Sequence, residues 1–116
     1  LFELEPDFEI SGEAENGRDA VEKAKHLKPD LVILDLSMPV MTGLDAAPLL
    51  RKLLPNTRII LFTVQEGSEV ERLARAAGIH AVVSKNQAAS TLILQAQVLL
   101  DSIKQEHHPA KLRNAS

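Results

Sequence analysis

The chain has 116 residues and a formal charge of −3, from 13 basic and 16 acidic side chains, and 45% of it is apolar. That length suffices for one small domain with a real core and not for two. The apolar fraction excludes a disordered chain, and the acidic balance lacks the clustered basic patch of a nucleic-acid surface. There is no cysteine, hence no disulfide and no thiolate metal site. No apolar run approaches the roughly 18 residues of a membrane span. Leu1 to Pro6 carries acid where a signal peptide carries base, so a soluble cytoplasmic protein is expected. The three aromatic residues are all Phe, which argues against stacking on bases or sugars.

In chain order, Phe8-Glu9-Ile10 opens a run that reads as a strand, and Asn16-Gly17 reads as a turn. Ala20, Val21, Ala24 and Leu27 recur at helical spacing, and Pro29 closes that helix. Leu31-Val32-Ile33-Leu34 is a continuous apolar run of the kind a parallel strand shows when it is covered on both sides. Leu44, Ala47, Leu50 and Leu54 form the next helical stripe, ended by Pro55. Pro48 interrupts it, at a cost of roughly 3 kcal/mol in a helix interior; a helix starting near Asp45 would place it in the first turn, where the cost is small. Ile59-Ile60-Leu61-Phe62 is a second buried strand. Val70, Leu73, Ala74 and Ala77 mark a helix stopped by Gly78. Ala81-Val82-Val83 is a short last strand, and Leu92, Ala96, Leu99 and Ile103 mark a long final helix. Strands alternating with helices imply βαβ units, a parallel sheet and helices on both faces: an α/β, doubly wound domain. The domain is assigned to residues 1–105, and 106–116 reads as a polar tail or linker.

Three polar residues follow the buried runs: Asp35 after Leu34, Thr63 after Phe62, and Lys85 after Val83 with Ser84 between. In a parallel sheet these positions share the carboxyl edge, where open α/β sheets place their ligands. A carboxylate oxygen there can attack phosphorus and become an acyl phosphate. An ammonium can neutralise the phosphoryl oxygens. A hydroxyl can donate to an oxygen that exists only after transfer.

These residues and their flanks resemble the receiver domains of two-component response regulators. Pro29-Asp30-Leu31-Val32-Ile33-Leu34-Asp35-Leu36-Ser37-Met38-Pro39-Val40-Met41-Thr42-Gly43-Leu44 is similar to the family's phosphorylation motif. The resemblance extends from about Pro6 to Leu100 and implies a flavodoxin-like fold with strand order 2-1-3-4-5 in the family's count. It implies Asp35 as phospho-acceptor, Thr63 in Leu61-Phe62-Thr63-Val64 as switch hydroxyl, and Lys85 as the charge partner. It further implies Mg²⁺ held by Asp35 and the Ser37 backbone carbonyl, and a histidine kinase as phosphoryl donor. Val64 and the Lys85-Asn86 pair resemble receivers that carry helix-turn-helix output domains, so a DNA-binding or other output domain is expected outside this chain. By the same resemblance the chain self-associates through the region 68–103, where Leu92, Ile93, Leu94, Val98, Leu99 and Leu100 make the last helix apolar beyond one stripe.

The sequence also departs from the family. No strand ending in an adjacent acidic pair precedes Phe8, so the family's first strand and most of its first helix are missing from the sequence, which is expected to be N-terminally incomplete with weak Mg²⁺ binding as it stands. Val82 occupies the position of the family's aromatic switch. Glu13 and Glu15 read as a solvated turn, and His107-His108 as a polar tail without a third ligand. The missing acids leave a second reading open, a pseudo-receiver acting as an interaction module without phosphorylation. A haloacid-type aspartyl enzyme would place a second Asp two residues after the first, where Ser37 stands.

Overall fold

A computed structural model of the chain describes residues 16–35 and 41–107, with side chains to residue 103. The strand expected at Phe8–Ile10, Glu13, Glu15, Ser37 and His108 lie outside the described residues. The elements are α1 (Gly17–Leu27), β1 (Leu31–Leu34), α2 (Gly43–Leu53), β2 (Arg58–Thr63), α3 (Ser68–Ala76), β3 (Ala81–Ser84) and α4 (Ala89–His107). Among the described residues the sheet has the order β1-β2-β3, parallel throughout, with Leu34 opposite Leu61 and Thr63 opposite Ser84. The expected α/β fold, with its parallel sheet and covering helices, is what forms.

The alternation of side chains along a strand sorts the core into two layers. On one face Leu34, Ile59 and Leu61 pack with Val21 and Ala24 of α1, Ala46, Ala47 and Leu50 of α2, and Val70 and Ala74 of α3. On the other, Ile60 and Val83 pack with Leu92 and Ala96 of α4, flanked by Ile33, Phe62 and Leu99. β2 lies between both neighbours and both layers, and Ile59, Ile60 and Leu61 are fully buried. An Ala at each of 24, 46, 47, 74 and 96 lets the helices approach the sheet closely, and all five are buried.

Local chemistry sets the helix ends, and three sequence expectations change. Asn16 does not make a turn: its extended backbone and side chain cap α1, with Oδ1 accepting from the Asp19 N–H at 2.8 Å. α2 begins at Gly43, capped by Thr42 Oγ1 accepting from the Asp45 N–H at 3.2 Å, so Pro48 falls in the second turn rather than the first. It sits on the exposed face and deprives the Leu44 carbonyl of its helical donor. Leu27 and Leu73, both placed on buried stripes by their spacing, are 44% and 39% exposed at the edges of those stripes. Val21, Ala24, Val70 and Ala74 carry the burial instead.

The edge of the sheet opposite Asp35 is pinned by side chains. Thr57 Oγ1 donates to the Pro29 carbonyl at 2.7 Å, and the Arg58 N–H donates to the Asp30 carbonyl at 2.9 Å, which joins the loops entering β1 and β2. Arg58, 8% exposed, donates from Nε to Ser102 Oγ at 3.2 Å and so ties α4 to the start of β2. His80 extends β3 by one residue: its N–H donates to the Ile59 carbonyl at 2.9 Å, and its Nδ1 accepts from the Ile59 N–H at 3.0 Å. The imidazole thus takes the place of a strand carbonyl. An accepting Nδ1 puts the ring proton of neutral His80 on Nε2, so the Arg51 guanidinium 3.5 Å away makes no hydrogen bond to it and donates instead to the Pro55 carbonyl at 2.9 Å.

Two stability outcomes are expected. His80→Ala leaves the N–H of the buried Ile59 without its acceptor and should lower the unfolding free energy by about 1–3 kcal/mol, measured by urea denaturation. Lys28 ends α1 in the left-handed region, at φ 48°, ψ 57°. That conformation costs a non-glycine residue about 1–2 kcal/mol, so Lys28→Gly should raise stability, the gain being reduced by the greater freedom of glycine in the unfolded chain to about 0.5–1 kcal/mol.

Candidate functional site

Parallel pairing brings the ends of β1, β2 and β3 to one edge, and Asp35, Thr63 and Lys85 stand there. Strand alternation continues past the ends. Leu31 and Ile33 face the α4 layer, as do Phe62 on β2 and Ala81 and Val83 on β3. Asp35 and Lys85 fall on that same parity, one residue beyond their strands. Lys85 Nζ donates to Asp35 Oδ2. The two strands that carry them are not neighbours; β2 lies between, so the lysine spans two strand spacings, about 9–10 Å. It crosses over Phe62, whose ring centroid lies 5.6 Å from Nζ, within reach of a cation–π attraction. Each partner's side chain is 35% exposed, which leaves the pair open to solvent on one side.

Thr63 is fully buried on the opposite parity, in line with Ile59 and Leu61. Its Oγ1 accepts from the Gln65 N–H at 3.2 Å, which folds the loop after β2 back over the strand end. Its carbonyl accepts from the Lys85 N–H at 2.8 Å. The sheet edge therefore brings Asp35 and Lys85 into direct contact, while Thr63 joins them through the backbone of Lys85.

Other residues at the edge have contacts that the sequence did not display. Gly43 donates its N–H to the Asp35 carbonyl at 3.1 Å, and a Cβ there would lie 2.7 Å from that oxygen and 3.0 Å from a Leu61 methyl. The glycine is thus required by the close approach of α2 to the peptide of Asp35. The loops after β2 and β3 are joined where Asn86 Nδ2 donates to Glu66 Oε2 at 2.8 Å. The loop after β3 is closed by Ser84 Oγ accepting from the Asn86 N–H at 3.0 Å, and by the Ser84 N–H donating to Gln87 Oε1 at 3.3 Å. Phe62 was legible as a core residue only. Its place under the lysine follows from strand register, which one sequence does not display.

Among the described residues no three His, Cys, Asp or Glu side chains gather where they could hold a metal ion. Asp35 supplies one hard carboxylate oxygen of the kind Mg²⁺ takes.

Comparisons with known proteins agree with this fold. The family profile described as the response regulator receiver domain matches residues 1–97. The response regulator protein VraR of Staphylococcus saprophyticus is 39% identical over 87 residues, covering 74% of this chain and 41% of that protein. The chemotaxis protein CheY of Thermotoga maritima is 54% identical over 54 residues, covering 47% of this chain and 45% of that protein. The chain therefore spans less than half the length of these curated relatives. Among solved structures, a DNA-binding response regulator of the LuxR family from Staphylococcus aureus superposes with a TM-score of 0.79 at 30% identity, covering 85% of this chain and 82% of that one. With the parallel sheet, its two helical layers and the Asp35–Lys85 pair at the carboxyl edge, the chain belongs to the response regulator receiver domain family.

Proposed function

We propose that this receiver is a phosphorylatable switch in two-component signalling, with Asp35 as acceptor. The observation that carries the reading is the ion pair of Lys85 with Asp35, built across β2 at the edge where open parallel sheets bind ligands. A histidine kinase is the proposed donor. An Asp35 carboxylate oxygen attacks phosphorus, the bond from phosphorus to the kinase's imidazole nitrogen breaks, and the nitrogen leaves with its electron pair. Before transfer, Lys85 holds the carboxylate in place; as charge gathers on the phosphoryl oxygens, the same ammonium can shift onto them. The hydroxyl of Thr63 already accepts from Gln65 and can still donate its own proton to a phosphoryl oxygen, which would couple the loop after β2 to the modification. Asp35 and the Ser37 carbonyl are the proposed ligands of Mg²⁺, which when bound would offset the negative charge that meets at the acceptor.

The chain acts in this reading as a cytoplasmic switch and not as an enzyme, without contacting nucleic acid or membrane itself. Its output would pass to a DNA-binding or other effector domain outside this chain, since relatives matched over part of their length are named as regulators of transcription. Homodimerisation is proposed through the region 68–103, supported by Leu94 and Val98, one turn apart on α4 and 61% and 54% exposed. The pseudo-receiver reading draws on a single observation, that Asp35 belongs to no group of three His, Cys, Asp or Glu side chains able to hold a metal ion among the described residues.

Intact-mass measurement after incubation with acetyl phosphate and Mg²⁺ separates the two: a gain of one phosphoryl group is expected, and an unmodified mass would favour the pseudo-receiver. Asp35→Asn should abolish the gain and leave the fold intact, because the pair it weakens is a third exposed and contributes at most about 1 kcal/mol. Thr63→Ala should still be labelled. Sedimentation should show phosphorylated wild type shifting towards dimer and Thr63→Ala shifting less; equal shifts would remove the sensing role from the hydroxyl.

A further inference from the structure

Met41 and Thr42, which lead into α2 beside Asp35, are anchored by a helix that contributes no residue to the reaction. The first residue of that helix, Gly17 of α1, is buried and donates its backbone N–H to the Met41 carbonyl at 3.0 Å. A Cβ at Gly17 would sit inside 3.0 Å of both the carbonyl carbon and the oxygen of Met41, closer than real Cβ atoms come, and 3.0 Å from the Met41 Cβ. The obstacle is backbone, not the end of a flexible side chain. Position 17 is the first turn of a helix, and its φ is not in the left-handed region, so glycine is not there for a turn. By helix propensity alone Ala would be the better residue. Glycine is therefore retained against propensity for the sake of close approach.

The neighbouring contacts say what that approach fixes. One residue past Met41, Thr42 caps α2; next, the Gly43 N–H holds the Asp35 carbonyl at 3.1 Å. Gly17, Met41, Gly43 and the acceptor's own peptide thus form one continuous run of backbone hydrogen bonds and covalent links. We propose that Gly17 is a positioning residue for phosphorylation: α1 acts as a buttress that sets where Met41 and Thr42, and with them the Asp35 peptide, rest. The proposal depends on the reading of Asp35 as acceptor.

The test compares Gly17→Ala with Asn16→Ala. The latter removes the side-chain cap of α1 and leaves the Gly17–Met41 contact in place, which makes it a control for simple loss of helix stability. With acetyl phosphate and Mg²⁺, Gly17→Ala should be labelled about 10- to 100-fold more slowly than wild type, the range expected when a reacting group is displaced by about 1 Å. Asn16→Ala should keep close to the wild-type rate. Hydrogen exchange of the Gly43 amide gives a readout independent of chemistry: it should accelerate in Gly17→Ala and not in Asn16→Ala. Should Gly17→Ala fail to fold, Gly17→Ala combined with Met41→Gly gives the carbonyl room to swing aside, and that chain should fold and still label slowly. Wild-type labelling with a protected Gly43 amide in either Gly17 variant overturns the proposal, as does equal slowing by Asn16→Ala. If the wild type itself takes no phosphoryl group, the acceptor reading fails, and a Gly43 amide unchanged by Gly17→Ala would still refute the buttress on its own.

Discussion

The parallel register of β1, β2 and β3 is the constraint on which the rest depends. Leu34 stands opposite Leu61 and Thr63 opposite Ser84, so the strands finish at nearly the same level. Parallel strands cannot be joined by tight turns and need crossovers; α2 and α3 are those crossovers, and they deliver each following strand in the same direction. The site is a product of that geometry. Had the strands run antiparallel, Asp35 and Thr63 would lie at opposite ends of the sheet. Register also decides faces, because a slip of one residue would turn Asp35 and Lys85 away from each other.

The ion pair is placed by the fold more than it stabilises it. Its partners are each 35% exposed, where solvent screens much of the attraction. Burial of Ile59, Ile60, Leu61, Leu50 and Leu92 holds the layers together. The polar residues of the edge are therefore free to be chosen for chemistry, and two glycines, Gly17 and Gly43, bring α1 and α2 close enough to frame it.

Much of this was legible in the sequence. The apolar runs at Leu31–Leu34 and Ile59–Phe62 marked two strands nearly to the residue, because an uninterrupted apolar run that short is too brief for a helix and too apolar for a loop. Asp35, Thr63 and Lys85 were visible as polar residues placed at the ends of such runs. Capping and packing were harder to read. Asn16-Gly17 carries the composition of a turn, yet the asparagine side chain accepts from Asp19 and starts a helix. Pro48 suggested a late helix start, but Thr42 supplies a cap strong enough to begin the helix at Gly43. Leu27 and Leu73 match helical spacing and are still partly exposed, since periodicity names a stripe and not its width. The roles of Phe62, Glu66 and Asn86 depend on which strand lies between which, and a single sequence carries no record of that.

β2 has a different partner at each of its ends. Thr63 closes it at the edge that holds Asp35, and Arg58 opens it at the other, with its guanidinium on Ser102 of α4. The strand between them is packed on both faces and bonded on both sides, so it has little room to bend. Over its length of six residues, about 17–20 Å, it carries a hydroxyl at one tip and the seat of a helix at the other. Thr63 and the seat of the last helix are therefore held at a fixed spacing by two hydrogen-bonded neighbours, and neither can shift along the strand without disturbing both ladders.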